Sequence, residues 1–158
     1  MSTMIIYASK HGATADCAKS LAEKMGDEVQ LVNAKKDQIP CLQCPDTIIV
    51  GGPVYAGRLP KKITKFIQAN EELLMQKKLG LFMCGLADTE KDTQEHFERI
   101  FPEKLRQHAV AVENFGGEIN WDKLGFLEKT AIKMVTKESG TRSNLHPEAI
   151  ERMAVVFK

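Results

Sequence analysis

Thr3-Met4-Ile5-Ile6-Tyr7-Ala8-Ser9-Lys10-His11-Gly12-Ala13-Thr14 is the stretch on which the reading of the chain turns. Its first six residues are a short apolar run, β-branched in places, and a turn-prone Ser-Lys-His-Gly follows. An apolar run of that length bounded by turn residues predicts a buried strand. From Ala13 to Met25 the period changes. Ala18, Leu21, Ala22 and Met25 fall at i, i+3, i+4 and i+7, a helical stripe, and Gly26 stops it.

The same alternation continues outward. Glu28–Asn33 is a second, shorter strand whose apolar Val29 and Leu31 alternate with polar residues, as on a sheet edge. Asp46-Thr-Ile-Ile-Val-Gly51 is a third, apolar enough to be buried on both faces. Leu59 to Asn70 returns to helical spacing through Ile63, Phe66 and Ile67. Lys78–Gly85 is the fourth strand, Thr93–Ile100 a helix closed off before Pro102, and Ala109–Phe115 the fifth strand. Trp121–Lys137 and Pro147–Phe157 are the last helical stretches, the second opening with Pro where its missing N–H costs nothing. Strands alternating with helices predict a doubly wound, five-stranded parallel α/β sheet with helices on both faces. The expected organisation of residues 1–158 is a single domain, without repeats or low-complexity segments. Sheets of this kind take ligands beyond the carboxyl ends of their strands, where strand order reverses. Function is therefore expected in the loops after the first, third and fourth strands.

Composition narrows the classes. Apolar residues make up 43% of the 158 and charged residues 27%, which excludes a disordered chain. Lys+Arg at 22 against Asp+Glu at 21 gives a formal charge of +1, with no nucleic-acid footprint and none of the acidity that steers basic partners. No apolar run approaches the roughly 18–20 residues that span a bilayer. Met4–Ala8 is too short for a signal-peptide core and no basic segment precedes it, so the cytoplasm is the expected location.

The loop Ser9-Lys10-His11-Gly12-Ala13-Thr14 suits an anion. Amides at a helix N-terminus point outward, Ser9 and Thr14 add hydroxyls, and Gly12 lets the backbone approach a ligand closely. It is neither a P-loop nor a dinucleotide fingerprint, because GxxxxGK[ST] and GxGxxG are both absent. Taken alone, a Ser/Thr-capped helix after a Gly turn explains the hexapeptide equally well.

At the end of a first apolar strand, the loop resembles the FMN-phosphate loop of the flavodoxin family, T/S-x-T-G-x-T. Ser9, Gly12 and Thr14 match, while His11 stands in for a hydroxyl residue and offers a ring N–H donor instead. Gly51-Gly52-Pro53-Val54-Tyr55-Ala56-Gly57 is similar to the family's G-x-P/S-x-Y-x-G-like loop beside the isoalloxazine. Cys84-Gly85-Leu86-Ala87-Asp88 takes the place of its third flavin loop. The resemblance implies strand order 2-1-3-4-5 and an FMN site. Its cofactor-binding residues would be Ser9, Lys10, His11, Gly12, Ala13, Thr14, Pro53, Val54, Tyr55, Ala56, Gly57, Cys84, Gly85, Leu86 and Asp88. Tyr55 is the candidate ring for the isoalloxazine, and the Ala56-Gly57 peptide the candidate partner of flavin N5. Within the family the chain resembles the menaquinone-dependent protoporphyrinogen oxidase group, through the Ser9–Thr14 loop and Ile132-Lys133-Met134-Val135-Thr136-Lys137-Glu138-Ser139-Gly140.

Three functions follow from that resemblance. One is an electron carrier between an external donor and an external acceptor, a redox protein or a quinone. Another is a quinone-linked flavin oxidase of the protoporphyrinogen oxidase type, favoured by the near-neutral charge and the lack of an aromatic in Gly85–Asp88. The third, should His11 block the phosphate, is a domain of the same fold that works without FMN. The apolar face and lysines of Trp121–Lys137 fit either a core helix or a weak peripheral contact with anionic membrane.

Elsewhere the bland reading holds. Cys41-Leu-Gln-Cys44 lacks the second pair of a zinc site and precedes a strand rather than opening a helix, so two ordinary thiols are expected, dispensable for flavin turnover. Four cysteines without a secretory signal read as reduced thiols. His96, His108 and His146 are scattered, and no Ser-His-Asp set or carboxylate cluster is present.

Overall fold

The computed structural model describes residues 2–9, 12–26, 28–54, 57–85, 89–119 and 142–157. Its main sheet has five parallel strands in the order β2-β1-β3-β4-β5. They are β1 (Thr3–Tyr7), β2 (Val29–Asn33), β3 (Thr47–Pro53), β4 (Lys78–Cys84) and β5 (Ala111–Asn114). The helices between them are α1 (Ala13–Met25), α2 (Lys61–Leu74), α3 (Glu90–Ile100) and α4 (Glu103–His108), and α5 (Pro147–Phe157) comes last. The doubly wound parallel sheet expected from the sequence is the one observed.

Side-chain alternation on the strands assigns each helix to a face. Met4, Ile6, Ile48, Val50, Leu79, Leu81 and Met83 point one way and pack under α2, α3 and α4 through Ile63, Phe66, Ile67, Leu74, Phe97 and Leu105. Ile5, Tyr7, Ile49, Phe82 and Cys84 point the other way, under α1 and α5, against Cys17, Ala18, Leu21, Ile150, Met153 and Phe157. Both neighbours of every side chain along a central strand are thus buried, which is why β3 reads as a continuous apolar run. β1 lies between β2 and β3, with Thr3 opposite Thr47 and Ile6 opposite Val50. β2 takes the edge, as its polar alternation indicated.

Four local features depart from the sequence expectation. α2 runs on past Asn70 to Leu74, because Asn70 bends the backbone and its side-chain amide bonds the Phe66 carbonyl while Leu74 still reaches the core. α3 begins at Glu90 rather than Thr93, its N-cap Thr89 accepting from the Asp92 amide at 3.0 Å. α4 has only six residues, too short for a period to show, and starts after Pro102. Gly116–Ile119 (β6), after the expected end of the fifth strand, pairs antiparallel with Arg142–Leu145 (β7), where no strand was expected. The expected helix Trp121–Lys137 lies outside the described residues.

On the α1/α5 face, Phe82 stacks on Phe115 with centroids 4.8 Å apart. The Phe82 ring also lies over Gly51, its partner on β3, and a Cβ at Gly51 would strike both that ring and the Phe82 carbonyl. Gly51→Ala should therefore destabilise the protein by about 1–3 kcal/mol through overpacking. Urea denaturation checks this; an unchanged midpoint would mean that both the ring and the β4 backbone at Phe82 give way without cost.

Candidate functional site

From β1 the chain first goes to β2 on one side and then to β3 on the other, so strand order reverses between β1 and β3. The crevice beyond their carboxyl ends is the ligand position of such sheets. Three loops meet there.

The first follows β1. Ser9 is buried, and its backbone N–H donates to Asn33 Oδ1 at 3.2 Å. Its hydroxyl oxygen accepts from the Gly12 amide at 3.1 Å, which leaves the Ser9 O–H to donate elsewhere. Gly12 is the N-cap of α1 with φ 94°, a left-handed conformation that costs a side-chain-bearing residue energy. Among the described residues no side chain caps α1, and its first backbone bond is Asp16 N–H to the Gly12 carbonyl. The amides of Ala13, Thr14 and Ala15 thus have no partner within the helix, at the end where its dipole favours an anion.

Thr14 is only 2% exposed, and its side chain hydrogen-bonds the Cys84 thiol at the end of β4. The neighbouring Cys17 thiol, followed by burial, pushes Cys84 well above the ordinary thiol range, and Thr14 pulls weakly the other way. Cys84 is a neutral thiol committed to the core. Its sulfur lies beside Thr14 and Cys17, and its carbonyl is taken by the Val54 amide.

The second and third loops are tied together at their roots. Pro53, the last residue of β3, pairs with Cys84, and the Val54 amide donates to the Cys84 carbonyl at 2.9 Å. Gly57 has φ 74°, and a Cβ there would run into the Arg99 guanidinium of α3. Gly85 donates to Asn114 Oδ1 at 3.4 Å, and the same oxygen accepts from Gly116 N–H at 2.9 Å. Asn114 is buried, and its Nδ2 has no partner among the described residues. His146 closes the group, its amide donating to the Phe115 carbonyl and its Nδ1 lying 3.2 Å from the Asn114 carbonyl oxygen.

Ser9, Gly12, Ala13, Thr14, Pro53, Val54, Gly57, Cys84 and Gly85 therefore stand on the three adjoining loops or at their roots. Lys10, His11, Tyr55, Ala56, Leu86 and Asp88 lie outside the described residues. Sequence reasoning missed Asn33, Asn114 and Arg99. Each Asn is the buried polar residue that ends a strand, and that ending was the one available signal; Arg99 reaches Gly57 only through the placement of α3. Among the described residues no group of three His, Cys, Asp or Glu side chains could hold a metal ion.

A family model of the flavodoxin domain matches residues 4–145. The chain belongs to the flavodoxin domain family. Solved flavodoxins have the same fold. Oxidised flavodoxin 1 from Bacillus cereus is 18% identical, with a TM-score of 0.56 over 88% of this chain and 100% of its own. A flavodoxin from the domain Archaea is 17% identical, with a TM-score of 0.52 over 87% of this chain and 98% of its own. In rubredoxin oxygen:oxidoreductase from the anaerobe Desulfovibrio gigas the match is 16% identical, with a TM-score of 0.53 over 99% of this chain but 36% of that longer one. No curated protein matches the sequence.

Two outcomes are expected of this flavodoxin domain. Asn114→Ala strips the Gly85 and Gly116 amides of their acceptor and should cost about 1–3 kcal/mol of stability; a thermal melt equal to that of the parent would show that water replaces the side chain. Cys84 supplies the second. Its folded thiol titrates above the ordinary value of 9.0, so its contribution is fully present below that pH and drains away as pH rises through the folded value. Urea titrations at neutral pH and above about pH 9 should show a larger stability loss in the parent than in Cys84→Ala. Equal losses would mean that Cys84 is not held neutral by the fold.

Proposed function

We propose that this flavodoxin domain binds FMN, with the phosphate on the Ser9–Thr14 loop, and carries electrons between an external donor and an external acceptor. The observation that supports the reading most is the start of α1, which no described side chain caps. Its leading amides, the Gly12 turn and the hydroxyls of Ser9 and Thr14 collect donors at the strand-order reversal, as a phosphate dianion requires. The rest of the cradle fits a flat ligand. Gly57 and Gly85 present backbone without a side chain, and the orphaned Asn114 Nδ2 is a spare donor behind the third loop.

Bound FMN would supply one- and two-electron redox chemistry, for which the chain provides orientation and electrostatic tuning. Ser9 and Thr14 would hold the phosphate, Thr14 accepting from the neutral Cys84 S–H and so keeping its own O–H to donate. The Ala56-Gly57 peptide is the proposed backbone partner of flavin N5, since a glycine lets that peptide reorient. Arg99 beside Gly57 brings positive charge to this loop, which favours an anionic reduced ligand. The acceptor is a redox protein or a quinone, and the quinone-linked oxidase reading rests on the sequence of the Ser9–Thr14 loop and of 132–140, on the near-neutral charge and on the lack of an aromatic in Gly85–Asp88. A reducing compartment such as the cytoplasm is the proposed location, in keeping with only four cysteines in 158 residues. Among the described residues no helix is long and apolar enough to cross a membrane.

FMN titration followed by flavin fluorescence tests the proposal. Saturable one-to-one binding is expected, and Thr14→Val should weaken it by about 1.5–3 kcal/mol, the range for a hydrogen bond to a charged group. No binding by the parent, or an unchanged affinity in Thr14→Val, overturns the phosphate assignment. With flavin bound, reoxidation by a menaquinone analogue coupled to protoporphyrinogen oxidation would favour the oxidase. Exchange with a ferredoxin or reductase alone favours the carrier.

A further inference from the structure

The Cys41-Leu42-Gln43-Cys44 turn lies at the opposite end of the sheet from the flavin loops. It leads into the first residue of β3, so the seven residues of that strand separate the two ends by about 20 Å. Both cysteines are exposed free thiols. The turn between them is held firmly from both sides. Leu42 packs on the core, Lys77 Nζ donates to the Gln43 carbonyl at 2.9 Å, and the Ser2 hydroxyl donates to the Cys44 carbonyl at 3.4 Å. Next to it, Ser2 N–H reaches the Asp46 carboxylate at 3.2 Å and anchors the turn to the start of β1.

The Cys-x-x-Cys turn places the two exposed thiols on the wall of one depression and makes them unequal. The backbone N–H of Gln43, the Cys44 thiol and the Cys44 N–H all face the Cys41 sulfur, and Lys77 adds positive charge. Together they lower Cys41 below the ordinary thiol value, whereas the Cys41 sulfur raises Cys44. The sequence lacks a helix N-terminus here, but the folded turn offers a sulfur two backbone amides in its stead. A depression of about 570 Å³ opens beside both cysteines, walled by Pro40, Pro45 and the amino ends of β1 and β2.

We propose that Cys41 and Cys44 form a dithiol redox site that exchanges with the disulfides of small thiols, with Cys41 as the attacking sulfur and Cys44 as the resolving one. The Cys41 thiolate attacks one sulfur of the disulfide, forms a mixed disulfide and releases the first small thiolate. Cys44 gives its proton to solvent and attacks the Cys41 sulfur, forming the Cys41–Cys44 bond and releasing the second thiolate. The dithiol loses two electrons and the small disulfide gains them, so no further oxidant is needed. The inference does not depend on flavin binding.

The test uses the full chain, reduced and then exposed to oxidised glutathione, acid-quenched and mapped by peptide mass. In the parent, a linked Cys41–Cys44 peptide lighter by two hydrogens is expected, with buried Cys17 and Cys84 unmodified as internal controls. Cys44→Ser should hold one glutathione on Cys41, and Cys41→Ser should acquire its adduct about tenfold more slowly. Absence of the linked peptide, or equal adduct rates in the two variants, overturns the proposal. Circular dichroism establishes that the variants are folded. Alkylation of the native parent by iodoacetamide reads the same asymmetry without any substitution: faster reaction at Cys41 supports the assignment, and equal rates refute it.

Discussion

Burial of β3 along its whole length is the constraint from which the rest of the structure follows. A parallel strand with no polar face has to be covered on both sides, and a crossover helix is the connection that both joins parallel strands and supplies a cover. Ile48 and Val50 therefore call for α2, and Ile49 for α1 and α5. With crossovers of one hand, the chain can add a strand on either side of β1 only by reversing direction once. The reversal opens the crevice in which the loops after β1, β3 and β4 converge.

Polar groups at the rim of that crevice fix the loops without filling it. Asn33 holds Ser9, Ser9 holds Gly12, and the left-handed Gly12 starts α1 with its leading amides free of the helix's own carbonyls. On the other side Asn114 gathers Gly85 and Gly116 with a single oxygen. The two sides are linked beneath the crevice by Thr14 and Cys84, one from α1 and one from β4. The first loop is thereby braced against the root of the third. Such prior ordering suits the proposed phosphate site, because the backbone is organised before an anion arrives.

The amino end of the sheet has a different chemistry. There, strands begin instead of ending, no described helix points its positive pole outward, and the donors described around Cys41 come from one tight turn. Lys77 and Ser2 hold that turn by its carbonyls, which leaves its amides for Cys41. The molecule thus has donor-rich concavities at both ends, built by unrelated means and separated by the apolar sheet.

Much of this was legible in the residues themselves. The switch from an apolar run at Thr3–Tyr7 to a 3.6-residue stripe at Ala13–Met25 determines strand, loop and helix locally, because periodicity and glycine act within a few residues. The same is true of the continuous run in β3 and of the turn that Ser9 and Gly12 make into α1. What lies between elements was not legible. α4 and the β6–β7 pair are too short or too glycine-rich to carry a period, and β7 is a strand only because β6 lies opposite it. Asn33 and Asn114 acquire their roles from amides one to three elements away, and the Cys41 sulfur from a turn whose shape depends on Lys77, 36 positions later. Sequence determined each element whose driving force is local burial. Hydrogen bonds that close across the fold, together with the pKa values they set, were decided by tertiary structure, because their geometry exists only after the sheet has assembled.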